Sequence, residues 1–552
     1  MKKTILLQIL LLCIVTYLLG MFCVPLMDID ATQYAGMSRE MLLHGNYLQL
    51  YDLGHDYLDK PPMLFWLSSA SMFVFGIHDW AYRLPSFLFS LLALYSTYKL
   101  ALLFYKKEIA RLSVLVLSSC QAMFLINHDV RTDTMLMGWV ICSIWQLAEW
   151  YQFKKWKNLV LAAITIAGGM MTKGPLALMI PVFSFVPHFI VRRNWKEFAR
   201  WEYIPFLAMI ALLLVPMSIG LYQQFDMQPG KIINGKPINS GLRFFYWTQS
   251  FGRITGENTL HENGSLFFLL QNMLWSFLPW ILFLLLGLIF AIKNIIYKRF
   301  ILTNKEECIT LAGFIVTYFA LGSSQVQLPH YIFVVFPFAA IITANYLYSL
   351  LYTSNGLKWR KPLFMIHSII FTLLWIALIA LMIFPFNIPV TVAILSGLCF
   401  LIFVWLIFSK RIGMPNLLAI CFFTSIGLNI FLNTAFYPTL LKYQTGNIAA
   451  TFIREHDLPK EQVYIYGNVL EARNSLYFYG NYFFKKVEKT TYLLPGSYVL
   501  TSQEGYQQLA SEKAVSVIFS GKGFPVTKLT LKFLTPSRRD AELIPFYILE
   551  VK

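Results

Sequence analysis

Charge is what this chain has least of. Asp, Glu, Lys and Arg together make up 13% of its 552 residues, about half the share a soluble domain usually carries. With 57% of the residues apolar, so few solvating groups exclude the string of water-soluble domains that length alone would suggest. Acidic residues are scarcer than basic ones, 28 against 45, and leave a formal charge of +17. In a soluble protein that excess would point to nucleic acid. Here the basic residues fall in short loops between apolar runs, where membrane orientation accounts for them, and no nucleic-acid partner is expected. Cysteine is sparse as well: seven residues, at 13, 23, 120, 142, 308, 399 and 421, all in or beside apolar runs. None lies in the last hundred residues, which excludes a disulfide framework there, and no CxxC or His/Cys zinc spacing occurs. Internal repeats and low-complexity tracts are missing too.

What the chain has in plenty is long apolar runs. Crossing a bilayer takes about 20 apolar residues as helix, because hydrocarbon cannot satisfy an open backbone. The runs predict about thirteen spans, at 4–24, 81–104, 109–127, 134–152, 157–172, 174–191, 203–222, 268–292, 307–322, 327–351, 363–384, 387–409 and 415–435. The first run follows Met1-Lys2-Lys3 but lacks a small-x-small cleavage site, so it reads as a retained helix.

Alternate loops are all basic: Lys2/Lys3, Lys106/Lys107/Arg111, Lys154/Lys155/Lys157, Arg192/Arg193/Lys196/Arg200, Lys293/Lys298/Arg299/Lys305, Lys358/Arg360/Lys361 and Lys410/Arg411. That set is expected to be cytoplasmic. The two long loops, 25–80 and 223–267, and the tail after Pro438 then face outside. Within the first loop, residues 63–76 are apolar for too short a stretch to span, so two interfacial helices are expected, at 31–44 and 61–75. From 439 the pattern changes to a helix at 439–456 and strand-like runs at Val463–Tyr466, Ser475–Tyr479, Ser497–Leu500, Val515–Phe519 and Tyr547–Val551. The fold class read from the sequence is therefore an α-helical polytopic membrane protein, with residues 1–438 in the membrane region and a small exoplasmic α/β domain at 439–552.

The first outer loop concentrates acids in a protein poor in them: Asp28, Asp30, Glu40, Asp52, Asp56 and Asp59. Asp30 with Gln33 has the spacing of a capping box that would start a helix at Ala31, ended by Gly45. A cap and a chemical role are compatible there. Lys60 precedes Pro61-Pro62, which pushes it out of the helical region and starts a helix beside it. A lysine at a helix start on the membrane surface suits a phosphate; the alternative is a lysine snorkelling among lipid headgroups. Arg131 and Asp133 occupy the short second outer loop, where Asp133 could instead cap the next helix. The long loop before residue 268 carries Arg253, Glu257, His261 and Glu262. Imidazole with a carboxylate suits zinc, although a lone histidine more often packs or hydrogen-bonds.

These stretches together resemble the GT-C glycosyltransferases, most closely the aminoarabinose transferase and protein mannosyltransferase-like branch. The resemblance rests on IDATQYAGMSREML with LHGNY, on YLDKPP, RLPS at 83–86, RTD at 131–133, MTKGPLAL with Pro181, and QLPHYI with Pro337, in that order. It implies an inverting enzyme that takes a sugar from a polyprenyl-phosphate donor and passes it to a lipid or glycan acceptor, such as a lipid A-type glycolipid or a protein, at the outer face of a bacterial inner membrane. Asp30 would be the catalytic acidic residue and Asp133 its second-loop partner. Lys60, with Arg131 and Arg253, would bind the donor phosphate, and Asp59 with His261 would match a zinc site. No nucleotide cofactor is implied. The sequence departs from the family at Ala31, where a second acid is usual, at Gln325 and Gln327, and at Asp59, which is shorter than the usual glutamate. A transporter is the competing reading, and it would place ionisable residues near helix midpoints, where this chain has very few.

Overall fold

The structure is a computed structural model that describes residues 3–233, 235–249, 252, 265–300, 302, 306–353, 357–386, 388–409, 414–469 and 472–552. It is predominantly helical. Each of the thirteen expected segments coincides with a helix or with a pair of helices separated by a short break. Among the described residues, six helices are long and apolar enough to cross a membrane, seven if the bent pair over 203–226 is one span, and five further apolar helices are shorter. The breaks have local causes. Lys107–Ser118 stops at Ser119 and is followed by the short helix Gln121–Leu125, and Leu266–Ser276 gives way to Ile281–Tyr297 around Pro279.

The lipid-facing character is plain on Val390–Phe408. It exposes Val390, Ile394, Leu401, Trp405 and Phe408, surface that water would not tolerate and hydrocarbon does. Facing inward, one continuous apolar core joins α1 (Lys3–Cys23), α4 (Asp79–Phe104), α5 (Lys107–Ser118), α7 (Thr132–Phe153) and α8 (Trp156–Lys173), with Tyr17, Phe124 and Trp280 among its fully buried members.

Two helices of the loop at 25–80 pack against this bundle. They are α2 (Asp30–His44) and α3 (Met63–Phe75), close to the expected 31–44 and 61–75. α2 ends at Gly45, whose φ of +67° is left-handed and whose N–H bonds to the Met41 carbonyl. Its start differs from the expected capping box. The cap position is Ile29 with no side-chain cap, Asp30 is the first helical residue, and Gln33 donates instead to the Asp52 carboxylate at 2.7 Å. A carboxylate within reach of an arginine has a stronger partner than backbone N–H groups, and so Asp30 is turned away from its own helix.

After Tyr443 the chain forms a five-stranded sheet in the order Lys485–Val487, Val463–Tyr466, Tyr498–Ser502, Ile544–Val551, Val515–Gly523. Its first three strands are parallel and the last two pairings antiparallel, with Leu500 opposite Ile548. The helices Thr445–Glu455 and Ala472–Gly480 cover one face, burying Ala449, Ile453 and Leu476 against Ile465, Leu500 and Ile548. Four of the expected strand runs are strands. The fifth, Ser475–Tyr479, is helix. Its consecutive aromatics, Tyr477, Phe478 and Tyr479, suit a strand by residue type, yet Ser475, Leu476, Phe478 and Tyr479 line the faces that meet α2 and the sheet.

Candidate active site

α2, α3, the turn before α7 and the end of α8 bring the acids and bases of the outer loops together. Asp30, at the start of α2, forms an ion pair with Arg131, which also donates through Nε to Asp129 at 3.1 Å. Arg131 stands just before α7, so a single guanidinium joins two loops that are 101 residues apart in sequence. Burial works against its charge, but Asp129 and Asp30 more than offset that and hold it firmly protonated. Burial likewise pushes the Asp129 carboxyl up, and Arg131 wins, leaving it below the ordinary value. The Asp30 side chain keeps 34% of its surface exposed, so a substrate can reach it.

Asp133 is placed differently. Its side chain is 1% exposed and lies between Lys173, with which it forms an ion pair, and His330, whose Nε2 is 3.5 Å away. Lys173 is the last residue of α8, and its ammonium sits 3.8 Å over the ring of Tyr331. This geometry makes Asp133 a holder of Lys173, not a cap: the cap position of α7 is Arg131, with no side-chain cap bond.

Lys60 and Lys173 face the same cavity of about 130 Å³, together with Asp59, Gln249, Tyr331 and Ser324, above apolar walls that include Leu176, Met179 and Phe183. Two lysines among mostly apolar walls suit an amphiphile with an anionic head. Lys60 contacts Asp59 at 2.7 Å, and Gln249 donates to the Asp59 carboxylate at 2.9 Å. As expected, a proline-started helix follows: Pro62 caps α3.

The expected metal pair is not supported by its described half. With an ammonium at 2.7 Å, Asp59 is engaged as a counter-ion, and a lysine is no metal ligand. Among the described residues no group of three His, Cys, Asp or Glu is placed to hold an ion. Arg253, Glu257, His261 and Glu262 lie outside the described residues.

Sequence reasoning missed Lys173, His330 and Tyr331 as site residues. The signal was there, in MTKGPLAL and QLPHYI, but only as a run of similar letters. Nothing in the spacing of Asp133 and Lys173, 40 residues apart, says that they meet. Gln327, one of the departures from the family pattern, is buried and staples its own loop, donating to the carbonyls of Gly322 at 2.7 Å and Ser324 at 3.0 Å.

Residues 59–219 match the model of a family described as dolichyl-phosphate-mannose-protein mannosyltransferase. An undecaprenyl phosphate-α-4-amino-4-deoxy-L-arabinose arabinosyl transferase from Erwinia tasmaniensis is 28% identical over 270 residues, covering 48% of this chain and 46% of that protein. The protein of the same name from an Enterobacter species is 27% identical over 360 residues, covering 63% of this chain and 61% of that one. The chain thus aligns with about half the length of these relatives. In three dimensions the crystal structure of ArnT from Cupriavidus metallidurans bound to undecaprenyl phosphate superposes with a TM-score of 0.74, at 18% identity, over 99% of this chain and 98% of that one. Its apo form superposes with a TM-score of 0.72.

A predominantly helical bundle with a small α/β tail, superposing so on that structure, has the GT-C fold. Within that class the sequence resembles the aminoarabinose transferase branch.

Proposed function

We propose that this chain is an inverting glycosyltransferase that moves a sugar from a polyprenyl phosphate to a lipid or glycan acceptor at the outer face of a bacterial inner membrane. The carrying observation is the cavity that Lys60 and Lys173 line among mostly apolar walls, together with an accessible carboxylate, Asp30, on α2, the helix packed against α3. The relatives' names, which specify undecaprenyl phosphate and aminoarabinose, support a polyprenyl donor. A lipid A-type glycolipid is the acceptor that best fits them.

The chemistry suits these residues. A lipid phosphate is already a good leaving group and needs no proton. It needs positive charge fixed in place before the bond breaks, and Lys60 and Lys173 provide it in a mostly apolar cavity. Asp30 takes the proton of an acceptor hydroxyl, or orients an acceptor that is itself ionised, with Arg131 fixing the carboxylate's direction. Attack opposite the departing phosphate is a single displacement, which inverts the anomeric centre. Asp133 acts on this step through Lys173 and is a positioning residue. No step is assigned to a metal.

In this reading the thirteen helical segments all cross the membrane, the N-terminus is cytoplasmic, and residues 439–552 form an exoplasmic domain. The test is transfer by the purified chain from a synthetic polyprenyl-phosphate sugar to envelope glycolipid, read by mass spectrometry. Wild-type protein should yield a product of opposite anomeric configuration, and Asp30→Asn, expressed and folded, should yield about a thousandth of it or less. Undiminished transfer by Asp30→Asn would overturn the assignment.

A further inference from the structure

Arg83 is fully buried, near the start of α4, and no carboxylate among the described residues pairs with it. Its guanidinium is spent instead on carbonyls. Nη1 donates to Met21 at 2.9 Å and to Val24 at 2.6 Å, Nη2 to Pro25 at 3.0 Å, and Nε to His128 at 2.9 Å.

The acceptors fall into two groups. Met21, Val24 and Pro25 are at and just beyond the C-terminal end of α1, where helical carbonyls have no partners in their own helix and the helix dipole favours a cation. His128 lies in the turn that leads to α7. The first group is followed within five residues by Asp30, and the second within three by Arg131. Those two residues are themselves an ion pair. One side chain therefore ties down the bases of both loops whose tips must meet.

We infer that Arg83 is a positioning residue for the transfer step, one that fixes the separation of the Asp30 loop from the Asp129–Arg131 loop without touching a substrate. The inference rests on the reading of Asp30 and Arg131 given above. A planar fork with five donors can serve four carbonyls arranged on two sides; an ammonium with three donors on a flexible stem cannot span them. Burial of an arginine is costly unless its donors are all engaged, and here the carbonyl cage offsets that cost only while both loops stay in place. The donor cavity is lined by other elements, among them the residues before α3, the end of α8 and Tyr331, and this contact bears on it only through Asp133 and Lys173.

The experiment compares full-length wild type, Arg83→Lys and Arg83→Met in lipid nanodiscs. Steady-state kinetics on a polyprenyl-phosphate sugar are measured beside hydrogen exchange at residues 24–33 and 126–132. In Arg83→Lys, kcat should fall about ten- to a hundredfold, the loss that follows a misplacement of about 1 Å, while KM for the donor changes less than about threefold. Both loop segments should exchange faster together, in Lys and more so in Met, with α8 and the helix Ala472–Gly480 still protected. Unchanged kcat in Arg83→Lys overturns the inference. So does a loss that merely follows the folded fraction, or faster exchange in neither loop or only one. Should wild type transfer no sugar, the proposed activity fails, and the exchange measurement alone still decides whether Arg83 couples the two loops.

Discussion

At the scale of single residues, the site is a set of cations that already have carboxylates. Lys60→Ala should weaken donor use about ten- to a hundredfold, the usual consequence of losing a hydrogen bond to a charged group. Lys60→Arg should restore part of it, because a flat guanidinium meets the phosphate in another geometry; kcat/KM for the donor is the measurement. Asp129 gives a prediction with a definite sign. Its folded-state pKa lies below the ordinary 3.8, so folding favours the ionised form. Its contribution is complete above that ordinary value and is lost as pH falls through the folded one. The Tm gap between wild type and Asp129→Asn should therefore be widest near neutrality and close below about pH 4. A gap that widens on acidification would mean that Arg131 does not hold Asp129 ionised. Lys60 and Asp30 were legible in the sequence because their neighbours mark them, two prolines in one case and a crowd of acids in the other. Lys173 and Arg83 were not, since what makes them matter is contact across 40 to 62 residues of chain.

At the scale of elements, the first outer loop is braced from above. The helix Ala472–Gly480 lies on α2, where Ser475 donates to Asp28 at 2.7 Å, Arg39 donates to the Tyr477 carbonyl at 2.8 Å, and Tyr479 links the Leu26 N–H to Asp79 at 2.6 Å each. Gln444 adds bonds to the Leu26 carbonyl at 3.0 Å and the Asp28 N–H at 2.9 Å. Ser475→Ala leaves a buried carboxylate oxygen short of a donor and should cost about 1–3 kcal/mol, visible as a lower Tm. Gly446→Ala should cost more. A Cβ there would stand 2.1 Å from Ser475 Oγ and 2.5 Å from the Ala472 carbonyl oxygen, so the two helices that cover the sheet would have to separate. A Tm unchanged by Gly446→Ala would show that they can part freely. This brace explains why the sequence misled at Ser475–Tyr479. A run of aromatics favours a strand by residue type alone, and here both sides of a helix are buried, one by the sheet and the other by α2.

At the scale of the whole molecule, the positions of the apolar segments were readable to within a few residues. The length of helix that hydrocarbon requires marks the longest of them, and apolar composition alone marks the shorter ones. Their breaks were not readable, because a proline or a polar turn inside an apolar run is tolerated where neighbouring helices resatisfy the backbone. Orientation is the prediction that belongs here. A reporter active only outside the cytoplasm should be active when fused after Lys552 and silent when fused in the basic loop around Lys154–Lys157. The reverse pattern would mean that the basic loops do not face the cytoplasm. Activity at both sites would mean that the segments do not cross in alternation.

In the proposed reaction, the ion pairs Lys60–Asp59 and Lys173–Asp133 also bear on how a spent carrier would get out. Each lysine has a carboxylate tethered beside it, a competitor that never diffuses away and is present at high effective concentration. An incoming phosphate must share the lysines with these residents, and once the sugar has gone they draw the lysines back. Such a site trades grip for turnover. The lipid phosphate left behind would be held weakly enough to slip sideways into the bilayer and make room for the next charged carrier.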